Sequence, residues 1–399
     1  MPDVEPADAL AACQAQMTSV RKLIAHTRSP ALFGRAESMN VDRVLAHALR
    51  SAVAPISFGS VKADNRPNRI AIAQRLIVAY RKALADEPSS PLRRKGEDIW
   101  TRILRDELPP LLKHIEEGNA LRLADYLLEF GATRVWFGGV TTAVDHYGWT
   151  REPNLVAVLY YDKLVCLAES LGLLRLENPE QGPWGENLKT DVAALVQKIE
   201  AEIGIALVPP MGAIHTDGLT IPGGVLHYRH INSLYAALKL PRSGAICEYG
   251  GGLGLCAMYA RRLGVTDYTI FDLPISNLLA GHYLIHAIGG ENVSLYGEPQ
   301  GRDSVKVLPY WDCLNTRDSQ FAATLNQDSF PEIDDSLVDA FLRDIKRSTE
   351  GVFISLNHEA FHPRTVRHFT QRVGGFRPLA RTKSWIREGY VDEVFAIDA

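Results

Sequence analysis

CEYGGGLGLCAMYARRLG, residues 247–264, is the most informative segment of this 399-residue chain. A short apolar run ends at Glu248, glycines follow at positions 250, 251, 252 and 254, and a helical pattern begins directly after them. Glycine adopts positive φ easily and lacks the Cβ that would hold a ligand away from the backbone. A helix that begins at such a turn offers free N–H groups to a ligand. The pattern therefore predicts a strand, a tight turn and a helix that together bind a nucleotide-like cofactor.

Two cofactor classes are compatible with this turn, the nicotinamide dinucleotides and S-adenosyl-L-methionine. The dinucleotide fingerprint requires a third glycine where this chain has Leu255. Glu248 would repel a pyrophosphate but attract the ammonium group of S-adenosyl-L-methionine. Asp272, at the end of the next predicted strand, is suited to accept both ribose hydroxyls of either cofactor. These residues favour S-adenosyl-L-methionine; a nicotinamide-dependent oxidoreductase and a turn with a purely structural role are the alternatives.

From about Pro241 to the end, predicted strands and helices alternate, which indicates βαβ units and a mostly parallel sheet covered by helices on both faces. The predicted strands are 245–249, 268–271, 293–296, 305–308, 321–325, 352–356, 376–380 and 393–397. Only a short polar connection separates the last two, so we expect an antiparallel hairpin at one edge. Residues 1–240 are expected to be mostly α-helical and to cap the acceptor site or make a homodimer contact. The predicted division is therefore a helical region over 1–240 and a cofactor-binding domain over 241–399.

The composition is that of an ordinary globular protein, with 46% hydrophobic and 23% charged residues. A formal net charge of -4 argues against a dedicated nucleic-acid binder. The five cysteines are scattered and never form a CxxC pair, which argues against a disulfide framework or a zinc site and suits a reducing compartment. No apolar run has the length of a membrane span or a signal peptide. These features predict a cytoplasmic protein without a membrane span.

Several segments together resemble the sugar O-methyltransferase family, and the resemblance extends upstream through residues 160–180 and 209–219. The segments are EYGGGLG (248–254), DYTIFDLP (267–274), NVSLYGE (292–298), VKVLPYWD (305–312), NQDSFPEI (326–333), SLNHEA (355–360) and REGYVDEVF (387–395). The resemblance implies a class I methyltransferase domain with a Rossmann-like sheet and an antiparallel C-terminal strand. It also implies S-adenosyl-L-methionine as the methyl donor and a hydroxyl acceptor on a glycan or a glycosylated small molecule.

Carried over position by position, the resemblance assigns cofactor contacts to residues of this chain. The first cofactor motif is matched by Glu248, Gly250, Gly252 and Gly254. Asp272 matches the acid that binds the ribose, and Leu273 would lie against the adenine. Glu298, after the third predicted strand, is expected on the adenine side.

Methyl transfer is an in-line displacement, so the protein mainly aligns the acceptor oxygen with the activated methyl group. A hydroxyl acceptor also benefits from a general base. Ligands of open α/β sheets bind at the carboxyl ends of the strands. The predicted strands 321–325 and 352–356 are followed there by Asn326, Asp328, Glu332 and His358. We predict Asp328 and His358 as bases, with Glu332 close behind, and Asn326 as a cofactor contact.

Each of these residues also has a structural interpretation. Glu332 and Asp334 are typical of a helix start, where acids are favoured by the helix dipole, and His358 suits a structural role as well. Asp328, Glu332 and Glu359 would suit Mg²⁺, but no tight ligand spacing supports a cation, so no metal is assigned.

Upstream of the cofactor domain, Arg229 is expected to reach the methionine carboxylate with a forked pair of hydrogen bonds. For His215, His227 and His230, and for the aromatic run Trp136, Phe137, His146, Tyr147 and Trp149, both packing and acceptor binding are open.

The sequence predicts an S-adenosyl-L-methionine-dependent O-methyltransferase that acts on a hydroxyl of a sugar or a glycosylated molecule. Three rivals remain. They are a methyltransferase for a non-sugar natural product, an NAD(P)-dependent oxidoreductase, and a methyltransferase-like domain that has lost catalysis and binds a partner.

Overall fold

The computed structural model describes residues 53–398 except for positions 64, 66, 93, 95–97, 134, 136, 138–139, 141–152, 179, 183–184 and 211–213. Of the predicted aromatic run, Trp136, His146, Tyr147 and Trp149 therefore lie outside the described residues. Phe137 is described and is 2% exposed. Its ring meets that of Trp100 edge-on at a centroid distance of 5.8 Å, so Phe137 belongs to the core.

Within the described residues, eight strands form the central sheet, in the order β6-β7-β5-β4-β8-β9-β11-β10. The strands β4 to β9 pair in parallel, whereas β11 is antiparallel to both of its neighbours, β9 and β10. This parallel sheet, closed by an antiparallel hairpin at one edge, is the class I methyltransferase Rossmann-like fold, and the fold expected from the sequence is confirmed. The strands are β4 Ile246–Tyr249, β5 Tyr268–Asp272, β6 Val293–Leu295, β7 Val305–Pro309, β8 Phe321–Gln327, β9 Thr349–His358, β10 Phe376–Lys383 and β11 Tyr390–Ile397.

A second, smaller sheet lies in the N-terminal half and has the order β1-β2-β3. It consists of β1 Phe58–Ser60, β2 Asp217–Ile221 and β3 Gly224–Leu226, all paired antiparallel. The described residues between 53 and 240 are thus mostly helical, as predicted, but they contain this sheet as well.

The helices cover the central sheet and build the N-terminal half. They are α1 Arg69–Asp86, α2 Ile99–Glu107, α3 Pro109–Glu116, α4 Ala120–Glu129, α5 Pro153–Ser170, α6 Val192–Ile203, α7 Tyr228–Leu238, α8 Leu255–Arg262, α9 Pro274–Ile288, α10 Asp335–Ser348 and α11 Val366–Val373. Among the described residues, no helix is both long and apolar enough to cross a membrane.

Several helix ends follow directly from local sequence. Asp98 accepts a hydrogen bond from the Thr101 N–H at 2.8 Å and so caps α2, and Asp191 caps α6 in the same way through Ala194 N at 2.9 Å. Such caps satisfy N–H groups that have no partner within the helix. Pro109 occupies the first position of α3, where its missing N–H costs no helical hydrogen bond.

The pairing of β4 with β5 positions the cofactor turn. All four residues of β4 are buried, as expected for a central parallel strand covered by helices on both faces. Tyr249 lies beside Phe271 in the parallel register, so the two strands end level with each other. The glycine turn and Asp272 therefore come side by side at the carboxyl edge of the sheet.

A continuous hydrophobic core extends across residue 240. It includes Leu76 of α1 and Leu279 of α9, both almost fully buried. Helix α1 packs against α9, and α7 packs against α8. The predicted boundary at residue 240 stays a prediction, and the two sides of that position share one core.

Candidate cofactor and acceptor site

The glycine turn after β4 requires glycine for two different reasons. Gly250, Gly252 and Gly254 have φ values of 74°, 56° and 75°, which L side chains rarely adopt. A Cβ on Gly250 would lie 2.2 Å from Ser329 Oγ, so this glycine makes room for a close approach by the chain after β8. A Cβ on Gly252 would meet no described heavy atom within 4 Å. The backbone of Gly252 thus borders open space at the carboxyl edge of the sheet.

Asp272 lies directly against this turn. Its Oδ2 accepts a hydrogen bond from Gly252 N at 2.7 Å, and its Oδ1 accepts one from Leu273 N at 2.6 Å. Burial raises the pKa of Asp272 to about 6, although these N–H groups act in the opposite direction. The structure therefore brings the predicted ribose acid and the predicted cofactor turn together.

Glu248 lies underneath the turn. Its side chain is buried, and Oε2 accepts a hydrogen bond from the Tyr268 hydroxyl at 2.8 Å. Burial raises the pKa of Glu248 to about 7. The contact observed is thus with β5, and the predicted contact with the ammonium group of the cofactor stays a prediction.

Asn326 connects the carboxyl ends of three strands. Its Nδ2 donates to the carbonyl oxygen of Tyr249 at 2.9 Å and to Ser329 Oγ at 2.7 Å. Its Oδ1 accepts from Asn357 Nδ2 at 2.9 Å. Because its amide is engaged in this way, Asn326 fixes the relative positions of β4, β8 and β9, and a direct cofactor contact stays a prediction.

Asp328, a predicted base, is held by two arginines. Arg387 Nη1 donates to both carboxylate oxygens, at 2.8 and 2.7 Å, and Arg229 Nη1 donates to Oδ2 at 3.2 Å. Burial raises the pKa of Asp328, but the two guanidinium groups outweigh it and hold the pKa below its usual range. A carboxylate with a lowered pKa is a weak proton acceptor. These contacts therefore argue against the predicted role of Asp328 as a base.

His358 and Glu332, the other two catalytic candidates, lie together. His358 Nε2 is 3.6 Å from Glu332 Oε1, and His358 Nδ1 accepts from the Ala360 N–H at 3.3 Å. The imidazole side chain is 13% exposed, so it is shielded but reachable. A carboxylate beside an imidazole can orient the ring. This pair is better suited to proton transfer than Asp328.

The three carboxylates considered for Mg²⁺ each meet a cationic or imidazole side chain. Asp328 binds the two arginines, Glu332 faces His358, and Glu359 accepts from Arg381 at 2.9 Å. Among the described residues, no three metal-ligating side chains come together. The oxygen site considered from the sequence is not assembled here.

Glu298, expected on the adenine side, has a different neighbour. Its Oε2 accepts from Arg75 Nη2 at 2.7 Å and from Leu295 N at 2.8 Å, so it ties α1 to the turn after β6. Moreover, β6 is the edge strand, and β7 is the strand that pairs with β5. The acid that follows β7 is Asp312, whose pKa is raised by burial and by the charge of Asp86. Asp312 is therefore better placed than Glu298 next to Asp272 and Leu273.

Asp312 and Arg387 were not identified as site residues from the sequence. Both lie in segments that carry the resemblance, VKVLPYWD and REGYVDEVF. The resemblance therefore pointed to both segments. The strand order was needed to place Asp312 beside the cofactor turn, and the position of the β10–β11 loop was needed to place Arg387 beside Asp328.

The histidines before the cofactor domain form a buried group. The rings of His215 and His227 stack at 4.1 Å, and His230 approaches His215 edge-on at 5.4 Å. Burial lowers the pKa of His227 and of His230 well below the usual value, and the neighbouring imidazoles add to this effect. Their burial supports packing as their role.

No family model and no curated protein matches the sequence. Solved structures with a similar part include the mitomycin 7-O-methyltransferase, at 13% identity and a TM-score of 0.33, over 42% of this chain and 53% of that chain. A glycopeptide N-methyltransferase complexed with S-adenosyl-L-homocysteine has 15% identity and a TM-score of 0.31, over 41% of this chain and 86% of that one. The geranyl diphosphate C-methyltransferase of Streptomyces coelicolor has 10% identity and a TM-score of 0.31, over 42% of this chain and 77% of that chain.

The match with the first of these structures spans about half of that enzyme's length. The assignment of the fold rests on the order and direction of the strands described above.

Proposed function

We propose that this protein is an S-adenosyl-L-methionine-dependent methyltransferase that modifies a hydroxyl group of a small-molecule or glycan acceptor. The observation that carries the proposal is the hydrogen bond from Gly252 N to Asp272 Oδ2, beside open space at the carboxyl edge of the sheet. Ligands of parallel α/β sheets bind at this edge, and a carboxylate there accepts ribose hydroxyls. A pyrophosphate at the turn would instead meet Glu248.

The residues at this edge suit the donor. S-adenosyl-L-methionine supplies a methyl group that is already activated on a sulfonium sulfur. Asp272 would hold the ribose hydroxyls, and Leu273 and Asp312 would lie on the adenine side. Arg229, expected from the sequence at the methionine carboxylate, donates Nη1 to Asp328 Oδ2 at 3.2 Å instead. The chain would thus contribute orientation more than covalent chemistry.

We infer that His358 is the general base. Its Nε2 faces Glu332, so Nδ1 is the atom that would accept the proton of the acceptor hydroxyl. The Ala360 N–H now lies 3.3 Å from Nδ1, a long hydrogen bond that an acceptor hydroxyl would replace. Glu332 would keep the ring oriented for this proton transfer. A positioned base of this kind contributes roughly a hundredfold to ten-thousandfold to the rate.

The N-terminal half supports a role as a cap over the acceptor. Lys163 of α5 donates to the carbonyl oxygen of Ile386, in the loop between β10 and β11, at 2.6 Å. Arg229 of α7 reaches Asp328 at the end of β8. Both helices precede residue 240 and yet contact the carboxyl edge of the sheet. The sugar specificity rests on the sequence resemblance, and the homodimer contact stays a prediction.

The cofactor assignment is tested by calorimetric titration of S-adenosyl-L-homocysteine into wild-type protein and Asp272→Ala. Hydrogen bonds to a charged acceptor contribute about 1.5–3 kcal/mol each. Loss of two such bonds should weaken binding by roughly a hundredfold or more. Asp267→Ala, at the opposite end of β5, is the matched control and should bind like the wild type. Unchanged affinity in Asp272→Ala, or thermal stabilisation by NAD(H) alone, would contradict the proposal.

The acceptor class is tested with a panel of sugars, glycosides and phenols and a donor labelled in its methyl group. Transfer to sugar hydroxyls supports the resemblance. Transfer only to phenolic, acidic or amine acceptors would contradict the sugar as acceptor class, but it would leave the proposed methyltransferase activity intact.

A further inference from the structure

We propose that the acceptor carries a carboxylate or phosphate group and is bound through it by Lys163, Arg229 and Arg387, here called the cationic cluster. This inference rests on the proposed methyltransferase function. It adds a requirement on the acceptor that neither the fold nor the cofactor turn imposes.

Three separate elements deliver the cationic cluster to one place. Lys163 comes from α5, Arg229 from the first turn of α7, and Arg387 from the loop between β10 and β11. Both arginines contact the carboxylate of Asp328, and Lys163 donates to the carbonyl oxygen of Ile386, directly before Arg387. The cluster therefore lies over the carboxyl ends of β8 and β9 and the amino end of β11.

Cations outnumber carboxylates in this group. Asp328 is the anion between the arginines, and Asp162, which neighbours Lys163, offsets a further part of the charge. Burial lowers the pKa of Lys163 to about 8, with Arg387 and Arg229 acting in the same direction. An additional anion would relieve this repulsion and would be bound in a poorly hydrated setting, where charge pairs are strong.

The arginines also keep donors free for such an anion. Arg387 uses only Nη1 on Asp328, and Arg229 uses Nε on the Tyr228 hydroxyl and Nη1 on Asp328. Among the described residues, Nε and Nη2 of Arg387 and Nη2 of Arg229 have no hydrogen-bond partner. The two side chains are 14% and 27% exposed, so a ligand can reach them. Guanidinium groups recognise carboxylates and phosphates through two parallel hydrogen bonds.

The position of the cluster favours the acceptor over the donor as the source of this anion. The glycine turn and Asp272 lie at β4 and β5, whereas the cluster extends in the opposite direction along the sheet, towards β11. Arg387 Cζ lies 3.5 Å from the ring centroid of Tyr390, and that ring is 5.6 Å from the ring of His358. The cluster thus adjoins the proposed base, so one acceptor can place its hydroxyl at His358 and its anionic group at the arginines.

The test is titration of inorganic phosphate and of acetate into protein saturated with S-adenosyl-L-homocysteine, followed calorimetrically. Wild-type protein should bind one equivalent of at least one of these anions. Arg387→Gln should weaken that binding by about tenfold or more, because it removes a charged hydrogen-bond donor, and should leave the affinity for S-adenosyl-L-homocysteine unchanged. Arg377→Gln, on the exposed opposite end of the same hairpin, is the matched control and should behave like the wild type.

Thermal unfolding checks that each variant is folded, and Lys163→Met replaces Arg387→Gln if the latter is not. Absence of anion binding to the wild type, or equal weakening in Arg377→Gln, overturns the proposal. Competition between the anion and S-adenosyl-L-homocysteine would assign the cationic cluster to the donor and overturn the proposal. Loss of S-adenosyl-L-homocysteine binding in Arg387→Gln would do the same. Anion binding without any affinity for S-adenosyl-L-homocysteine contradicts the proposed function instead.

Discussion

Asp272 and Asp328 are the same residue type at the same kind of position, yet their environments act on them in opposite directions. Both lie at the carboxyl end of a strand of the parallel sheet, and burial raises the pKa of each. At Asp272 burial outweighs the hydrogen bonds to the carboxylate and the charge of Arg94, so the pKa rises to about 6. At Asp328 two guanidinium groups outweigh burial, so the pKa falls below the usual value. The first residue is suited to accept neutral hydroxyl donors, and the second to anchor cations.

The raised pKa of Asp272 predicts that affinity for S-adenosyl-L-homocysteine depends on pH. The ribose hydroxyls donate to the carboxylate, so the ligand binds the deprotonated form better. Below a pH of about 6 the free protein must lose a proton to bind, and the affinity should fall by roughly tenfold per pH unit. Calorimetry between pH 5 and pH 8 measures this directly. Glu248→Gln removes the other buried acid of the turn and should retain this pH dependence. An affinity of the wild type that does not change with pH would contradict the prediction.

Arg387 explains why sequence position alone did not separate Asp328 from His358 as the proposed base. It lies 59 residues from Asp328 in sequence, and Arg229 lies 99 residues away on the other side. Asp328 was selected because it follows a strand, which is a local property. Its proton affinity depends on neighbours that only the folded chain supplies.

The end of β8 and the segment after it contain residues with quite different roles. Asn326 holds three strand ends, and Asp328 adopts a φ of 69° and binds two arginines. Asp334 caps α10 by accepting from the N–H groups of Ser336 at 2.9 Å and Leu337 at 3.3 Å. Glu332 instead faces His358. The helix-start interpretation of these acids is thus correct for Asp334, whereas Glu332 points to the proposed base.

This division of roles predicts different costs of substitution. Asp334→Ala should lower the free energy of unfolding by about 1 kcal/mol, because the first turn of α10 loses its cap. Glu332→Gln keeps the shape of the side chain and contributes to no cap, so it should change stability by only about 0.5 kcal/mol or less. Urea unfolding of both variants gives the comparison. An equal loss of unfolding free energy in the two variants would indicate that Glu332 also stabilises the start of the helix.

Strand order decides which loop lies beside the cofactor site. The predicted strands appear in the structure, but β7, the fourth of them along the chain, pairs with β5, and β6 is displaced to the edge. Val305 pairs with Tyr268 on one side and with Val293 on the other. Local pattern identifies each strand but contains no information on which strand becomes its neighbour. For this reason Glu298 was selected and Asp312 was not.

The two halves of the molecule depend on each other for the burial of apolar surface. Leu76 and Ile77 of α1 are almost fully buried in the core that also contains Leu279 and Leu284 of α9. An added Cβ on Gly281 of α9 would lie 3.0 Å from Leu76 Cδ2, so the two helices are in close contact. Removing the N-terminal half would expose this face to water.

We therefore expect that residues 241–399 alone do not form a stable domain. The fragment would lose the packing of α1 against α9 and of α7 against α8. Each large apolar side chain newly exposed would cost about 1.5–3 kcal/mol, against a total stability of about 5–15 kcal/mol. Thermal unfolding followed by circular dichroism should give no cooperative transition for the fragment, with residues 53–399 as the control. A sharp transition at the temperature of the longer chain would establish 241–399 as an independent domain.

Two features could be inferred from the chain alone, the Rossmann-like sheet and its cofactor turn, because both follow from short-range patterns. Glycines at 250, 252 and 254 permit the positive φ of the turn whatever the tertiary context, and they adopt it in the structure. The alternation of apolar runs with helical segments is likewise a local property of the sequence. Only the tertiary structure pairs His358 with Glu332, places two guanidinium groups against the Asp328 carboxylate and assembles the cationic cluster. Those contacts join residues far apart in sequence, and their electrostatic effects depend on distance and burial, which are fixed only when the helices and strands pack together.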